Sequence, residues 1–172
     1  MGIVGNEPAR VKVTVLDTPN DQVIVSTDII NSLVSKMGVS VSVNLKQAHN
    51  EDVGGPVYDI DGDDSGLLIG RRGETLRALQ FLVSFMASRK LESRINLSLD
   101  VAGYQKRRYE SLSNLAMKVA RRVSATGRSI PLEPMPPNER RVVHMALADR
   151  SDVSTLSEGE GEGRHVVIRL AD

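Results

Sequence analysis

Leu67-Leu68-Ile69-Gly70-Arg71-Arg72-Gly73-Glu74-Thr75-Leu76 is a short apolar run that turns over two glycines and enters an amphipathic helix. Two glycines leave backbone N–H groups uncovered at a helix N-terminus, where the partial positive charge of the helix favours an anion. The two arginines between them add donors and full charge. This pattern predicts a phosphate-binding turn made by Gly70, Arg71, Arg72 and Gly73. A bare Gly-x-x-Gly is common among turns, so its weight comes from the elements on either side.

Downstream, the spacing predicts a helix from Gly73 to about Lys90, with Leu76, Leu79, Leu82, Val83 and Met86 buried and Arg89 and Lys90 suiting the C-terminal dipole. Ile95, Leu97, Leu99 and Val101 then alternate as a strand. Upstream, Asp64 or Ser65 is placed to cap a single helical turn over Gly66 to Ile69, and Val57-Tyr58-Asp59-Ile60-Asp61 reads as a short strand. A polar loop through His49 and Gly54-Gly55 separates it from another strand, in which Val39, Val41, Val43 and Leu45 alternate with polar residues. Ser26-Thr27-Asp28 supplies capping side chains for a helix carrying Ile29, Ile30, Leu33, Val34 and Met37 until Gly38 ends the pattern. Nearer the N-terminus, Val11, Val13 and Val15 alternate as a strand that reaches the turn Asp17-Thr18-Pro19-Asn20-Asp21, after which Val23-Ile24-Val25 pairs back as a second strand.

The second half has a different texture. Residues 104–126 predict a long helix with Leu112, Leu115, Ala116, Val119 and Val123 inward, Lys106, Arg107, Lys118, Arg121 and Arg122 on other faces, and Gly127 as terminator. An extended segment over Arg128 to Pro134 follows, and Pro136-Pro137-Asn138 introduces a helix over 139–149. On that helix Arg140 and His144 stand four residues apart, so both project from one face and can grip a phosphate by charge-assisted hydrogen bonds. Residues 159–169 close the chain as a strand approached through Gly159-Glu160-Gly161-Glu162-Gly163.

Composition narrows the function classes. The chain has 172 residues, 40% of them hydrophobic, enough for one medium domain or two small ones. It has no cysteine, which removes disulfides, thiol catalysis and cysteine-ligated zinc and fits a reducing cytoplasm. No window approaches the roughly 20 apolar residues of a membrane span, and the N-terminus lacks the basic start and apolar core of a signal peptide. Net charge is +0, but it is unevenly spread. Residues 51–64 hold Glu51, Asp52, Asp59, Asp61, Asp63 and Asp64 without a cation, whereas residues 104–128 set Lys106, Arg107, Arg108, Lys118, Arg121, Arg122 and Arg128 against Glu110 alone. Gly159-x-Gly161-x-Gly163 lies in acidic sequence before a strand rather than after one, so it reads as a turn and not as a dinucleotide loop. His49, His144 and His165 have no metal-ligand spacing, and no nucleophile stands beside a recognisable base. Asp59, Asp61 and Asp63 lack the glycine and terminal glutamate of an EF-hand loop and read as a solvated acidic rim. The residues therefore predict no enzyme activity, no metal and no cofactor. With two Phe, three Tyr and no Trp, an aromatic stacking platform is also not expected.

The order helix, strand, strand, short helix, Gly-x-x-Gly, long helix, strand resembles a type II KH domain over about residues 26–103. That resemblance implies a groove beside the glycine loop that holds about four single-stranded nucleotides by their backbone. Gly70 and Gly73 would let phosphates approach, Arg71 and Arg72 would neutralise them, and Ile69 would form part of the groove floor. Asn138-Glu139-Arg140-Arg141-Val142-Val143-His144, its preceding prolines and the final Gly-Glu-Gly strand resemble the small single-stranded nucleic-acid module named for Arg-x-x-x-His. The tandem is similar to the bacterial Jag or KhpB family, the SpoIIIJ-associated proteins. It implies an α+β chain of three parts: an N-terminal β segment or linker over 1–25, the KH domain over 26–103 and the Arg-x-x-x-His domain over 104–172. Ile69, Gly70, Arg71, Arg72, Gly73, Lys106, Arg107, Arg140, Arg141 and His144 are the expected contacts to single-stranded RNA, with single-stranded DNA a second ligand of the same chemistry. The resemblance further implies a cytoplasmic regulator of RNA linked to cell elongation and division and a small KH protein as partner. A protein scaffold near a membrane insertase is the alternative it leaves, and the oligomeric state stays open. Many family members carry an extra Jag-N domain, and here only Glu7-Pro8-Ala9-Arg10-Val11-Lys12-Val13 resembles the join that would follow it.

Overall fold

A computed structural model describes residues 19–171 of the chain, with side chains from Asp21 onward. The expected strand over Val11, Val13 and Val15 lies outside the described residues. The chain divides into two compact units, one running to Gly70 and taking in Glu74–Leu99, the other comprising Arg71–Gly73 and the residues from Asp100 on.

The first unit opens with helix α1, Pro19–Met37. This corrects two expectations: Pro19 does not sit in a turn, and Val23-Ile24-Val25 is not a strand. Proline in the first helical turn loses no hydrogen bond and has its φ already set for a helix. The buried positions Ser26, Ile29, Ile30 and Val34, with Val23 half-buried before them, recur at helical spacing, so packing overrides the β-branched run. Ser26, Thr27 and Asp28 are therefore interior helical residues and not a cap. Instead, the buried Tyr58 hydroxyl donates to the Val23 carbonyl at 3.0 Å and lies 3.2 Å from the Thr27 hydroxyl, tying the helix to the sheet.

Strands β1 (Ser42–Asn50) and β2 (Gly55–Asp61) form an antiparallel hairpin with register breaks after Leu45 and Gln47. β1 runs through His49, a residue expected in a loop, and most of it is exposed, consistent with its place at the sheet edge. α2 is the short helix Ser65–Ile69, and α3 is Glu74–Lys90. The expected Asp64 cap is absent; that carboxylate instead accepts the Ser40 backbone N–H at 2.7 Å, closing the loop onto the start of β1. α3 buries Leu76, Leu79, Val83 and Ala87, while Leu82 and Met86, both expected inside, are exposed. β3, Ser98–Val101, completes a sheet of order β1-β2-β3, with Ile95, Leu97, Leu99 and Val101 all buried. The Gln80 side chain on α3 accepts the Leu99 N–H at 3.0 Å, locking helix to strand.

In the second unit, α4 spans Tyr104–Thr126 and ends at Gly127, whose left-handed backbone lets its N–H return to the Val123 carbonyl. It buries Leu112, Ala116, Ala120 and Val123; Leu115 is exposed, contrary to expectation. β4 is the short Ile130–Pro131, α5 is Pro137–Ala146, β5 is Val153–Glu158 and β6 is His165–Leu170. The strands form an antiparallel sheet of order β4-β6-β5. Two expectations change here. α5 stops at Ala146 rather than Asp149, and a strand occupies 153–158, where none was expected, so the Gly-Glu-Gly segment is the turn of a β5–β6 hairpin. Val143, Leu147, Val153, Val166 and Ile168 meet the inner face of α4 in one core.

Candidate functional site

Two places gather the residues that the sequence singled out. The first is the turn between α2 and α3. Gly70 closes α2 with φ 67° and ψ −167°, a region that is essentially glycine-only. A Cβ there would also stand 2.0 Å from the Thr75 hydroxyl, so this glycine is demanded by the backbone as well as by any ligand. Arg72 (φ 51°) and Gly73 (φ 76°) continue the left-handed path, so the chain doubles back sharply before α3 begins. Arg71 and Arg72 are exposed at its outside, Gly73 is buried, and Ile69 is half-buried as the last residue of α2. Within the second unit, to which Arg71–Gly73 belong, Arg72 Nη2 lies 2.6 Å from Glu133 Oε2, with both side chains well exposed.

The second is the outer face of α5. Pro136 and Pro137 set its entry, and Arg140 and His144 share one face as the four-residue spacing requires. Arg140 Nη1 donates to the Met135 carbonyl at 2.8 Å, which fixes the guanidinium near the helix start while leaving its other N–H groups to point elsewhere. His144 is half-buried with both ring nitrogens engaged: Nδ1 lies 2.6 Å from the Thr155 hydroxyl and Nε2 2.9 Å from the Ser157 hydroxyl. Thr155 and Ser157 alternate along β5 and so present the same face of the strand to the ring. Burial, and then the positive charge of Arg140, lowers the His144 pKa from its ordinary value of 6.5. The result is a neutral imidazole beside a fixed cation, held between two hydroxyls that can act as donor or acceptor. This arrangement can bind an anion by charge and hydrogen bonds; it contains no activated nucleophile.

Arg141, one residue on, is exposed on another face of α5. Lys106 and Arg107 are exposed in the first turns of α4, and Arg107 Nη1 donates to the Ala102 carbonyl. Their neighbour Arg108 does something different. It meets the almost fully buried Glu139 of α5 through Nη2 at 2.8 Å and Nε at 3.2 Å, so one of the cations of the basic run is consumed in joining α4 to α5. At about 100° of rotation per residue, Arg107 and Lys106 point progressively away from that contact.

Sequence reasoning missed Thr155, Ser157 and the Arg108–Glu139 pair. The alternation Val153, Thr155, Ser157 ahead of Gly159 was the available signal for the strand, but nothing local in the sequence points from that strand to His144.

Comparison with known proteins finds two family matches along the chain. The KhpA/KhpB KH domain family matches residues 21–99, and the R-3-H domain family, named for Arg-x-x-x-His, matches residues 110–170. The chain is 37% identical over 167 residues to the RNA-binding protein KhpB of Clostridium symbiosum, which covers 97% of this chain and 73% of that protein. It is 37% identical over 171 residues to the RNA-binding protein KhpB of Bacillus subtilis, covering 98% and 78%. A third relative, the RNA-binding protein KhpB of Streptococcus pneumoniae, is 33% identical over 109 residues.

Proposed function

Since the chain belongs to the KhpB family, we propose that it holds single-stranded RNA at the Gly70–Gly73 turn and at the Arg140/His144 face of α5, without carrying out a covalent reaction. The observation that supports this most is the conformation of the turn. A glycine-only backbone at Gly70 followed by left-handed residues exposes Arg71 and Arg72 at the N-terminus of a 17-residue helix, a combination suited to backbone phosphates. The α5 face adds a second anion contact through the remaining donors of Arg140 and the polarised His144 ring. Two weak contacts on one tethered chain act at high effective concentration, so the tandem can bind where either module alone would not.

Ile69 serves as apolar support for a base, and Lys106, Arg107 and Arg141 contribute sequence-independent attraction. The proposal includes single-stranded DNA as a weaker ligand of the same chemistry, action in the cytoplasm on RNA fate linked to cell elongation and division, and a small KH protein as a partner. Fluorescence anisotropy of a short single-stranded RNA, its duplex and its DNA counterpart, at low and physiological salt, tests the core of it. Salt-sensitive binding that prefers the single strand is expected. Absence of binding in every condition overturns the reading in favour of a protein scaffold.

A further inference from the structure

The basic run over residues 104–128 is only partly engaged in holding the second unit together. Arg108 pairs with Glu139, and Arg107 donates to the Ala102 carbonyl. Among the described residues, the guanidiniums of Arg122 and Arg128 meet no carboxylate and no carbonyl. Both stand at the C-terminal end of α4, where they line a cleft of about 600 Å³ with Thr126, Ser129 and Ile130. No carboxylate lines it.

The way α4 ends builds this cleft. Gly127 has a left-handed backbone (φ 69°), which reverses the chain and brings its N–H to the Val123 carbonyl at 2.8 Å. The Thr126 hydroxyl fixes the reversal: it donates to the Arg122 carbonyl at 2.8 Å and accepts the Arg128 N–H at 3.4 Å. Two guanidiniums therefore approach one hollow from two directions, Arg122 from the helix and Arg128 from the segment that enters β4. Half-buried Ile130 supplies the apolar part of its lining. Lys118, one turn before Arg122 on the same helix face, adds positive charge beside it. Arginines at a helix C-terminus commonly donate to its last carbonyls, where the dipole is negative. Here neither does so, and it is Gly127 that takes the Val123 carbonyl.

We propose that this cleft holds a backbone phosphate of the single-stranded RNA strand that also meets the Arg140/His144 face, an assignment that rests on the proposed RNA-binding function. Guanidinium forks match phosphate oxygens in pairs, and the Ser129 hydroxyl can donate a further hydrogen bond. The position fits as well. Ile130 pairs with Ile168, and Ile168 with Thr155, whose hydroxyl holds His144, so cleft and histidine share one row across the sheet β4-β6-β5. Two strand spacings, about 10 Å, separate Ile130 from Thr155 at the backbone. The cleft and the Arg140/His144 face therefore stand at opposite edges of one small sheet, close enough for one strand of RNA to reach both. A base arriving at the cleft meets Ile130 and no aromatic ring, which suits contact through the backbone and not through stacking.

Anisotropy titrations of the full chain with a fluorescent single-stranded RNA of about twelve nucleotides, three times the length a KH groove clamps, test it. Arg122→Ala and Arg128→Ala should each weaken binding roughly fivefold at low salt, the effect of losing one guanidinium about 5 Å from a phosphate in water-rich surroundings. Together they should lower the slope of log affinity against log salt by about 0.7, the value for one phosphate on a single strand. Arg121→Ala removes the same charge from the neighbouring position of α4, outside the cleft, and should change affinity by less than about twofold. All three positions are exposed, so the variants should melt with the wild type. In NMR spectra of the full chain, the RNA should shift the backbone amides of Arg128 and Ser129, and inorganic phosphate should do so only at far higher concentration. Cleft variants that bind as the wild type does, an Arg121→Ala variant as weak as they are, or cleft amides that move with inorganic phosphate and not with RNA would each overturn the cleft while leaving the Arg140/His144 contact standing. A wild type that binds no single-stranded RNA would remove both.

Discussion

Replacing Arg71 and Arg72 together by aspartate tests the glycine turn without touching its glycines. The choice follows from the backbone. A side chain at Gly70 meets Thr75 at 2.0 Å and leaves a glycine-only conformation, so Gly70→Asp would report on folding as much as on charge. Arg71 and Arg72 are exposed, and aspartate tolerates the left-handed backbone at Arg72 better than most residues. The substitution breaks the Arg72–Glu133 pair, but with side chains 42% and 69% exposed that pair contributes at most about 1 kcal/mol. The fold should therefore survive.

A guanidinium about 5 Å from a phosphate in water-rich surroundings contributes roughly 1 kcal/mol, and reversing its sign doubles the change. Two reversals then weaken binding by about a hundred- to a thousandfold at low salt, and by less at physiological ionic strength. Loss of two phosphate contacts should also flatten the dependence of log affinity on log salt by about 1.4 for a single strand. Anisotropy titrations of a fluorescent single-stranded RNA over a salt series measure both quantities. An unchanged affinity and slope in a folded variant would show that phosphates do not sit at this turn.

Other outcomes follow from the second unit and from the turn itself. Glu139→Ala strands Arg108 in a largely buried position and should lower stability by roughly 2–4 kcal/mol, read as a drop in the denaturant midpoint. His144 has a depressed pKa in the folded state, so its unfolded form binds protons more readily; stability from this group is intact above about pH 6.5 and is lost as pH falls through the folded value. Denaturation at about pH 7 and pH 5 should show this loss in the wild type and not in His144→Gln. Phosphate bound next to Arg140 should raise the His144 pKa, so its imidazole NMR signals should titrate at higher pH with RNA than without; an unchanged titration removes His144 from the site. Gly70→Ala should cost about 2–4 kcal/mol from strain and the Thr75 contact, and a melting temperature equal to the wild type would refute the backbone argument.

The glycine turn was legible because everything that makes it is local: the spacing of Gly70 and Gly73, the apolar run before them and the helical period after them. The start of α1 was not. Val23-Ile24-Val25 has strong β propensity, and what overrides it is tertiary packing of the buried stripe Ser26, Ile29, Ile30 and Val34, with a Tyr58 bond from far along the chain tying the helix to the sheet. For α3 the apolar residues were found, but periodicity cannot say which of two overlapping stripes the sheet will cover. Leu76, Leu79, Val83 and Ala87 pack, and Leu82 and Met86 are left outside.

The same limit shaped the reading of the Arg-x-x-x-His motif. Spacing alone established that Arg140 and His144 share a face, but what makes the pair useful is how each is held. Arg140 spends one donor on Met135 and keeps the others, while His144 is gripped from both sides by hydroxyls of a strand whose existence the sequence reading missed. A histidine so placed cannot turn freely toward a ligand, so if the proposed site takes a phosphate, that anion would meet Arg140 first and act on the imidazole through charge and through Thr155 and Ser157. Replacing either hydroxyl should therefore disturb the pH response of the site as much as replacing the histidine's neighbours on its own helix.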